Sequence, residues 1–375
     1  MLLELNRQWL PPSLCNRKLI AIVKAYRYKC FLMSLTKSNK YNKTSMLRLV
    51  SRITIDTGSA RWQFNSVAEC NIVEDIGSLT DTCELKLPRN IKWQGQVAPG
   101  GNNKEMIYPP IKRGDRITVE LGYDDDLKVR FAGYIRSVDA KVPITITCED
   151  GMFLLKSIKA EPKAFKNASL KEIVEHLLKG TNIAYKLIDD NIQVGAWRIT
   201  QPSVSQELQE LKDKVMLSSY FRFVEGQSVL YIGLEYPIDN REKHLFKHGK
   251  NIIKEDFTYR NKEDIRVRVE AQSFNAKHRK ITYEYGDKDG DVIKIRIDGL
   301  SEEELKKYAM EALERYKQSG FKGSFETFGT PEVRKCDMVE IHASDGNRGT
   351  YLVKKNEISF GTNGYRQKIE LGNAL

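Results

Sequence analysis

The segment PPIKRGDRITV, residues 109–119, has a counterpart near the C-terminus in PEVRKCDMVEI, residues 331–341. Both segments fit one ungapped pattern, Pro-x-(Ile/Val)-(Lys/Arg)-(Lys/Arg)-x-Asp-x-(Ile/Val)-x-(Ile/Val). In such a pattern proline fixes φ where a strand begins, aspartate favours a turn, and the apolar pair starts the next buried strand. Chance recurrence of turn-and-strand sequence is the alternative, but the length and order of the match favour a duplicated β unit.

A glycine and a tyrosine lead into an apolar strand downstream of each copy, in FAGYIRSV and in RGTYLVKKNEI. We therefore predict that the two copies build similar turns and strands. Cys336 departs from the pattern because the first copy has Gly114 at that position, which leaves the shape of the second turn open. The residues predicted to form this structural motif are Pro109, Ile111, Gly114, Asp115, Gly133 and Tyr134 in the first copy, and Pro331, Val333, Asp337, Gly349 and Tyr351 in the second.

Alternation of apolar and polar residues dominates the chain after its first 45 residues and predicts half-buried strands. The predicted fold is mainly β with α+β character, with two similar small β-barrels in one chain and an inserted small α/β module. The predicted domains are a first barrel at 46–160, the α/β module at 161–235, and a linker, hairpin, helix and second barrel at 236–375. A Gly-, Pro- and Asn-rich stretch at 95–110 is predicted to be a loop.

Capping signals define two helices. Ser169 and Glu172 can form a capping box ahead of an apolar face, and Ser301 and Glu304 can form another. Gly320 is predicted to end the second of these helices, whose apolar stripe is expected to pack on the second barrel. Hairpins are predicted in YFRFVEGQSVLYIG and around GDKDGD.

Charge is concentrated at the start of the chain. The net charge of +11 would ordinarily suggest a nucleic-acid or anionic-surface partner. Residues 1–45 hold +8 of it, so residues 46–375 carry only +3. We expect this basic leader to lie outside the fold and to be upstream sequence, with Met46 as the natural start.

The cysteines and the hydropathy exclude two classes of protein. The six cysteines include no CxxC pair, so a disulfide framework is not expected and the thiols should be reduced. No apolar run approaches the roughly 20 residues that span a bilayer, so we expect no stable membrane binding.

Three groups of residues could suggest a metal site or a catalytic site in the sequence. His244 and His248 stand four residues apart, but no acidic third ligand follows in a zincin arrangement, so a charged linker is the better interpretation. GDKDGDV spaces its aspartates as a Ca²⁺ loop does, yet Val292 stands where the turn glycine belongs. Carboxylates such as Glu149 and Asp150 leave a peptidoglycan hydrolase open as an alternative. We predict no catalytic residue, no metal and no cofactor.

The motifs together resemble the tail baseplate hub proteins of contractile and long-tailed phages, including the late control gene D group. LTDTCELKLPR, residues 79–89, is similar to the first-barrel signature of that family, and IKRGDRITVELGY to its continuation. TFGTPEVRKCDMVEI and GTYLVKKNEISFGTNGYRQKIELG are similar to its closing barrel. The resemblance covers most of residues 46–375, and the order of the motifs is more specific than any one of them.

The resemblance implies a structural, non-catalytic virion protein of a phage or prophage. Hub subunits of this family carry two similar barrels and assemble as homotrimers, which gives a ring with pseudo-sixfold symmetry that matches a hexameric tail tube. The implied partners are the tail tube protein, a separate spike protein and the tape measure protein, with only non-specific passage of DNA through the lumen. The implied location is the virion tail baseplate, with assembly in the host cytoplasm. A hub of a type VI-like secretion apparatus, related to valine-glycine repeat spike proteins, is a further alternative.

Overall fold

The computed structural model of this chain describes residues 47–88, 94–97, 111–139, 143–190, 192–234, 236–274, 279–297, 299–317 and 319–375. Every element below belongs to the unit Leu49–Leu375. No helix within these ranges is both long and apolar enough to cross a lipid bilayer. The predicted basic leader, residues 1–45, lies outside the described residues.

Strands dominate the described residues, so the prediction of a mainly β fold is confirmed. The strands of the first half are β1 Leu49–Asp56, β2 Ala60–Phe64, β3 Glu69–Asp75, β4 Thr82–Leu87, β5 Gln94–Val97, β6 Arg116–Tyr123, β7 Asp126–Asp139 and β8 Ile144–Glu149. The middle contains helix α1 Met152–Ser157, β9 Ala164–Ser169, α2 Leu170–Leu177, β10 Ala184–Leu187, β11 Gln193–Arg198, α3 Val204–Val215, β12 Leu217–Val224 and β13 Gln227–Leu234. The last part contains β14 Lys243–Lys247, β15 Ile252–Arg260, β16 Val267–Phe274, β17 Lys280–Gly286, β18 Asp291–Arg296, α4 Glu302–Tyr316, β19 Gly320–Phe328, β20 Met338–His342, β21 Arg348–Gly361 and β22 Gly364–Ala374.

One large sheet carries both copies of the sequence repeat. Its order is β15-β19-β22-β21-β3-β4-β8-β7-β6-β1-β2-β5, with β20 paired to β21 and β14 paired to β20. Among the described strands no pairing closes this sheet into a barrel. The antiparallel pair of β21 and β3 joins the two halves of the chain, with Ile358 opposite Ile72.

Two runs of five strands within the sheet have the same order and the same antiparallel pairing. The first run is β3-β4-β8-β7-β6, and the second run is β15-β19-β22-β21-β20. Each run places one face of its strands on a separate apolar core, which contains Ile72, Leu85 and Ile146 in the first run and Phe325, Ile341 and Val353 in the second. Period-two alternation in the sequence is what gives each strand one such buried face.

The α/β part of the chain has its own core. Helices α2 and α3 pack their apolar residues against strands β9 to β13. The predicted capping box at Ser169 is present, because its hydroxyl accepts from the Glu172 amide while the Glu172 carboxylate accepts from the Ser169 amide. The predicted hairpin of β12 and β13 is also present, and its turn places Glu225 and Gly226 at positive φ.

A small three-stranded sheet, in the order β17-β16-β18, lies against helix α4. This arrangement corrects two predictions. The apolar stripe of α4, including Leu305 and Ala309, packs on this small sheet and not on the strands of the second run. Strands β17 and β18 do not form a hairpin around GDKDGD, because both pair with β16, on its opposite edges.

Three further predictions about local structure need correction. Gly320 does not end α4, because that helix ends at Tyr316 and Gly320 already lies in β19. The predicted loop at 95–110 begins as strand β5, which pairs with β2, and residues 98–110 lie outside the described residues. The predicted charged linker contains strand β14, whose parallel pairing with β20 buries His244 and Phe246.

Candidate functional site

The first copy of the repeat forms a tight turn before β6. The Lys112 amide donates to Oδ2 of Asp115 at 2.7 Å, and the Asp115 amide donates to the Lys112 carbonyl at 3.2 Å. Gly114 has φ of +92°, a conformation that glycine adopts without steric cost. Its amide donates to the Ile135 carbonyl at 2.8 Å, and the Ile135 amide donates back to the Asp115 carbonyl at 2.9 Å. The turn is thereby fixed to β7.

The second copy forms a turn with the same hydrogen bonds. The Arg334 amide donates to Oδ2 of Asp337 at 2.9 Å, and the Asp337 amide donates to the Arg334 carbonyl at 3.2 Å. The Cys336 amide donates to the Val353 carbonyl at 2.9 Å, and the Val353 amide donates to the Asp337 carbonyl at 2.8 Å. Cys336 takes the place of Gly114 at a φ of 71°, so the substitution leaves the shape of the turn unchanged.

The correspondence continues into the strands. The register of β7 against β8 shifts between Ile135 and Ser137, and the register of β21 against β22 shifts between Val353 and Lys355. A β-bulge at the same place in both pairs keeps the later residues in step, so Ser137 corresponds to Lys355.

The two tyrosines of the motif are not equivalent. The geometric counterpart of Tyr351 is Gly133, because each lies opposite the second residue of the strand that follows the turn. Tyr134 stacks on Phe153 of α1 at 5.7 Å between ring centroids. The Tyr351 hydroxyl instead accepts from the Phe321 amide at 2.7 Å inside the second core.

The other predicted motif residues support the two runs locally. Ile111 packs against the first core and Val333 is buried in the second. A side chain at Gly133 would place its Cβ 2.1 Å from the Glu149 carbonyl oxygen, so β7 and β8 could not approach. Gly349 lies in β21 opposite Ile341. Pro331 follows a cis peptide bond at the entry to the second turn, and Pro109 lies outside the described residues.

The two turns differ in their surroundings. Lys112 and Arg113 are exposed in the first turn, whereas Arg334 and Lys335 at the same positions are half-buried and buried. Lys335 Nζ donates to Oδ1 of Asp81 at 2.6 Å and lies 4.7 Å from the centre of the Tyr220 ring. The second turn therefore inserts its basic residues among acids from the first half of the chain.

Two carboxyl groups meet beside Lys335. The Asp81 amide donates to Oδ2 of Asp150 at 3.2 Å, and the Met152 amide donates to Oδ1 of Asp150 at 3.0 Å. Burial, reinforced by the negative charge of Asp81, raises the pKa of Asp150 to about 7. Burial also raises the pKa of Asp81, to about 6, although Lys335 opposes that shift. Burial disfavours the Lys335 ammonium, but Asp81 and Asp150 outweigh it and raise the pKa of Lys335.

Arginine side chains add further links between the halves. Arg334 Nη1 lies 3.3 Å from Oε1 of Glu74 in β3. Arg130 of β7 is 1% exposed, and its Nη2 donates to the Val333 carbonyl at 3.1 Å and to Oε1 of Gln367 at 3.0 Å. We call Glu74, Asp81, Asp150, Arg334 and Lys335 the charged junction.

Asp337 is the centre of a second polar cluster. Its Oδ1 accepts from Arg222 Nη2 at 3.1 Å, and its Oδ2 lies 3.4 Å from His244 Nε2. Burial opposes ionisation of Asp337, but the bonds from His244 and Arg222 together lower its pKa below the usual value. His248 faces elsewhere and contacts Glu255. Among the described residues, no group of three His, Cys, Asp or Glu side chains could hold a metal ion.

The carboxylates on which a hydrolase was considered, Glu149 and Asp150, are buried and hydrogen-bonded. Glu149 is bonded to Lys156 and lies 3.4 Å from Arg136. Asp81 and Asp150 border a cavity of about 30 Å³, which has room for little more than a water molecule.

The sequence patterns did not reveal the charged junction. Because lysine and arginine are almost always exposed unless they are paired, the basic residues of the two repeats give no sign in the sequence that those of the second copy are buried. The charges that pair, such as Glu74 and Arg334, lie far apart in the sequence. A single sequence does not show which distant charges meet in the fold. The four cysteines in the described residues, Cys70, Cys83, Cys148 and Cys336, are free and buried.

Comparison with known proteins gives a clear result for structure and none for sequence. No protein-family model matches the chain, and no curated protein matches it in sequence. The chain is similar to a 43 kDa tail protein of prophage MuSo2 from Shewanella oneidensis, with a TM-score of 0.54 and 14% identity over 86% of this chain and 98% of that one. It is also similar to a tail protein from Neisseria meningitidis, with a TM-score of 0.56 and 14% identity over 86% of this chain and 96% of that one.

A third solved structure comes from a secretion apparatus. The E. coli c3393 protein, described as a component of the type VI secretion system with structural similarity to T4 bacteriophage tail proteins, matches with a TM-score of 0.50 and 9% identity over 86% of this chain and 76% of that one. Since all three identities are low, the likeness concerns the fold. This chain has the fold of the prophage tail proteins and of this type VI secretion component.

Proposed function

We propose that the chain is a structural baseplate hub of a phage tail or phage-like injection particle. In this proposal it forms a homotrimeric ring that joins the tail tube to a separate spike protein at the tip of the virion tail. The observation that carries the proposal is the duplication: two five-strand runs with one topology and one turn geometry lie in a single continuous sheet. Three such chains present six similar runs, which is the number that a hexameric tube requires.

The fold comparison supports the same proposal. The likeness extends over nearly the whole length of two prophage tail proteins. Residues 46–160 and 236–375 would then form the two halves of the hub, and residues 161–235 the module between them. A hub of a type VI-like secretion apparatus is the second candidate, because the E. coli component shares the fold.

The charged junction has a structural role in this proposal. It fixes the second turn on the first run, so both runs are held at one relative position within the subunit. We propose that the chain is not an enzyme. Glu149 is bonded to Lys156, and Asp150 accepts hydrogen bonds from the Asp81 and Met152 amides, so both acids that a hydrolase would use already have partners.

Imaging of intact particles tests the proposal. The chain would carry an epitope tag, and antibody-labelled particles would be examined by electron microscopy. We expect label only at the junction of tube and spike, in a ring of three copies. Label along the tube, or particles without label, would contradict a hub.

A turbidity assay on purified cell walls tests the enzymatic alternative. We expect no clearing by the purified chain. Clearing that is lost in a Glu149→Gln variant would replace the structural proposal with a hydrolase.

A further inference from the structure

Two strand edges of the large sheet that are unpaired among the described strands, on β7 and on β15, are the counterparts of the edges that β21 and β3 pair inside the chain. Strand β21 uses one edge for β20 and, further along, for β3. Its counterpart β7 uses the same edge for β6 up to Tyr134, but no described strand continues the pairing from Ser137. Strand β15, the counterpart of β3, ends the sheet and pairs only with β19 among the described strands.

We propose that β7 of one copy of this chain pairs with β15 of a second copy, in the manner in which β21 pairs with β3. The inference rests on the proposed ring and names its interface. Each chain would give one such edge and receive one, so the contact is head-to-tail, as closed rings require. An edge strand left unpaired would otherwise invite unspecific association.

The register of β21 against β3 inside the chain predicts the register of β7 against β15 of the second copy. Within the chain, Lys355 lies opposite Asp75 and Asn356 opposite Glu74. The shared bulge makes Ser137 and Val138 the counterparts of Lys355 and Asn356.

The partner strand is aligned in the same way. In the first run, Asn71 of β3 lies opposite Glu84, which lies opposite Thr147. In the second run, Asp256 of β15 lies opposite Ser324, which lies opposite Glu370. Thr147 and Glu370 occupy corresponding places in the two runs, so Asn71 and Asp256 are counterparts. Counting along both strands makes Tyr259 and Arg260 the counterparts of Glu74 and Asp75. The expected register is Ser137 opposite Arg260 of the second copy, and Val138 opposite Tyr259.

Burial and charge agree with this pairing. Ser137 and Arg260 are exposed, and Val138 and Tyr259 are half-buried, so the pair would cover apolar surface on one face. In the second turn, Lys335 meets acids that lie at the end of β3 and beyond it. The exposed first turn has Arg113 at that position, and the exposed acids Glu263 and Asp264 lie shortly after the end of β15, beyond Asn261 and Lys262.

Disulfide cross-linking of the full chain tests the register. Ser137→Cys and Arg260→Cys in one chain place two thiols directly opposite each other across the proposed interface. The matched control combines Ser137→Cys with Thr258→Cys, which lies on the same face of β15 but two residues out of register. Because thiols whose Cα atoms are more than about 7 Å apart do not bridge, we expect about tenfold more covalent oligomer from the first pair.

A mixture of the two single variants gives a second readout. Ser137→Cys chains and Arg260→Cys chains should form covalent dimers and nothing larger, because each chain then has one thiol at the interface. The chain's own cysteines are common to all variants and are controlled by the unmodified protein.

The possible results distinguish a failure of the proposed strand pairing from a failure of the proposed ring. Oligomers in light scattering with equal cross-linking of both cysteine pairs, or with none, would overturn the strand pairing and leave the ring intact. A chain that stays monomeric in light scattering at high concentration would overturn both proposals.

Discussion

Lys335 and Arg113 occupy the same position in the two copies of the turn and have opposite surroundings. Lys335 is 3% exposed and bonded to Asp81, whereas Arg113 is exposed. When one member of a buried ion pair is replaced, its partner either stays charged without compensation or takes up a proton, and both outcomes cost stability. We therefore expect Lys335→Met to lower the free energy of unfolding by about 3–5 kcal/mol at pH 7, and the matched Arg113→Met by less than about 0.5 kcal/mol.

Urea unfolding of both variants measures the difference. The slope with denaturant should stay unchanged, so the shift in midpoint reports stability. Equal shifts in the two variants would show that the charged junction contributes nothing beyond an exposed turn.

Asp150 gives the charged junction a pH dependence. Its pKa is raised in the folded state to about 7 from a usual value of 3.8, so the folded chain binds a proton that the unfolded chain has already released. Stability from this group is therefore full below pH 4 and is lost as the pH rises towards 7. Asp150→Asn removes the titration, so the variant should lose less stability than the wild type between pH 5 and pH 8.

Between pH 5 and pH 8, the free energy of unfolding of the wild type should fall by on the order of 2 kcal/mol more than that of the Asp150→Asn variant. Thermal or urea unfolding at pH 5 and pH 8 would measure it. Parallel pH profiles for the two proteins would show that Asp150 ionises normally in the folded chain.

At the scale of one element, the first turn isolates the cost of backbone conformation. A Cβ at Gly114 would meet nothing within 4 Å, so substitution brings no clash. The positive φ of this residue still costs an L side chain roughly 1 kcal/mol. Gly114→Ala should destabilise the chain by about that amount in urea unfolding. Cys336→Ala, which already has a Cβ at the same φ, is the control for backbone effects and should show only the loss of its thiol packing.

Elements with local sequence signals were predicted well, but the elements that they pack against or pair with were not. The Ser301 capping box is present, since its determinants lie within one turn of helix. The same helix packs on the β16 sheet, because an apolar stripe does not say which apolar surface covers it. Strand β14 was missed because KHLFK looks like a charged linker, and only the parallel pairing with β20 makes His244 and Phe246 buried residues.

At the scale of the whole molecule, the repeat was the most informative sequence feature. It predicted two related units from eleven positions, and the structure shows two turns with matching hydrogen bonds. The repeat could not predict that both units join in one sheet through β3 and β21, because that pair links residues far apart in the sequence, such as Ile72 and Ile358. The buried charges of the junction depend on the same long-range contact.

Assembly of residues 46–375 should depend little on salt. Strand edges and half-buried side chains such as Val138 and Tyr259 would supply most of the contact, while Arg113 and the acids after β15 lie at its rim. Rim charges are screened by salt and contribute little affinity, whereas backbone pairing and apolar burial are insensitive to it. Since residues 46–375 carry only +3, general charge attraction or repulsion between copies is also weak. We expect light scattering of residues 46–375 to show trimers whose dissociation constant changes less than about threefold between 0.1 and 0.5 M NaCl. Dissociation at moderate salt would mean that charged contacts hold the ring, and would place the interface away from β7 and β15.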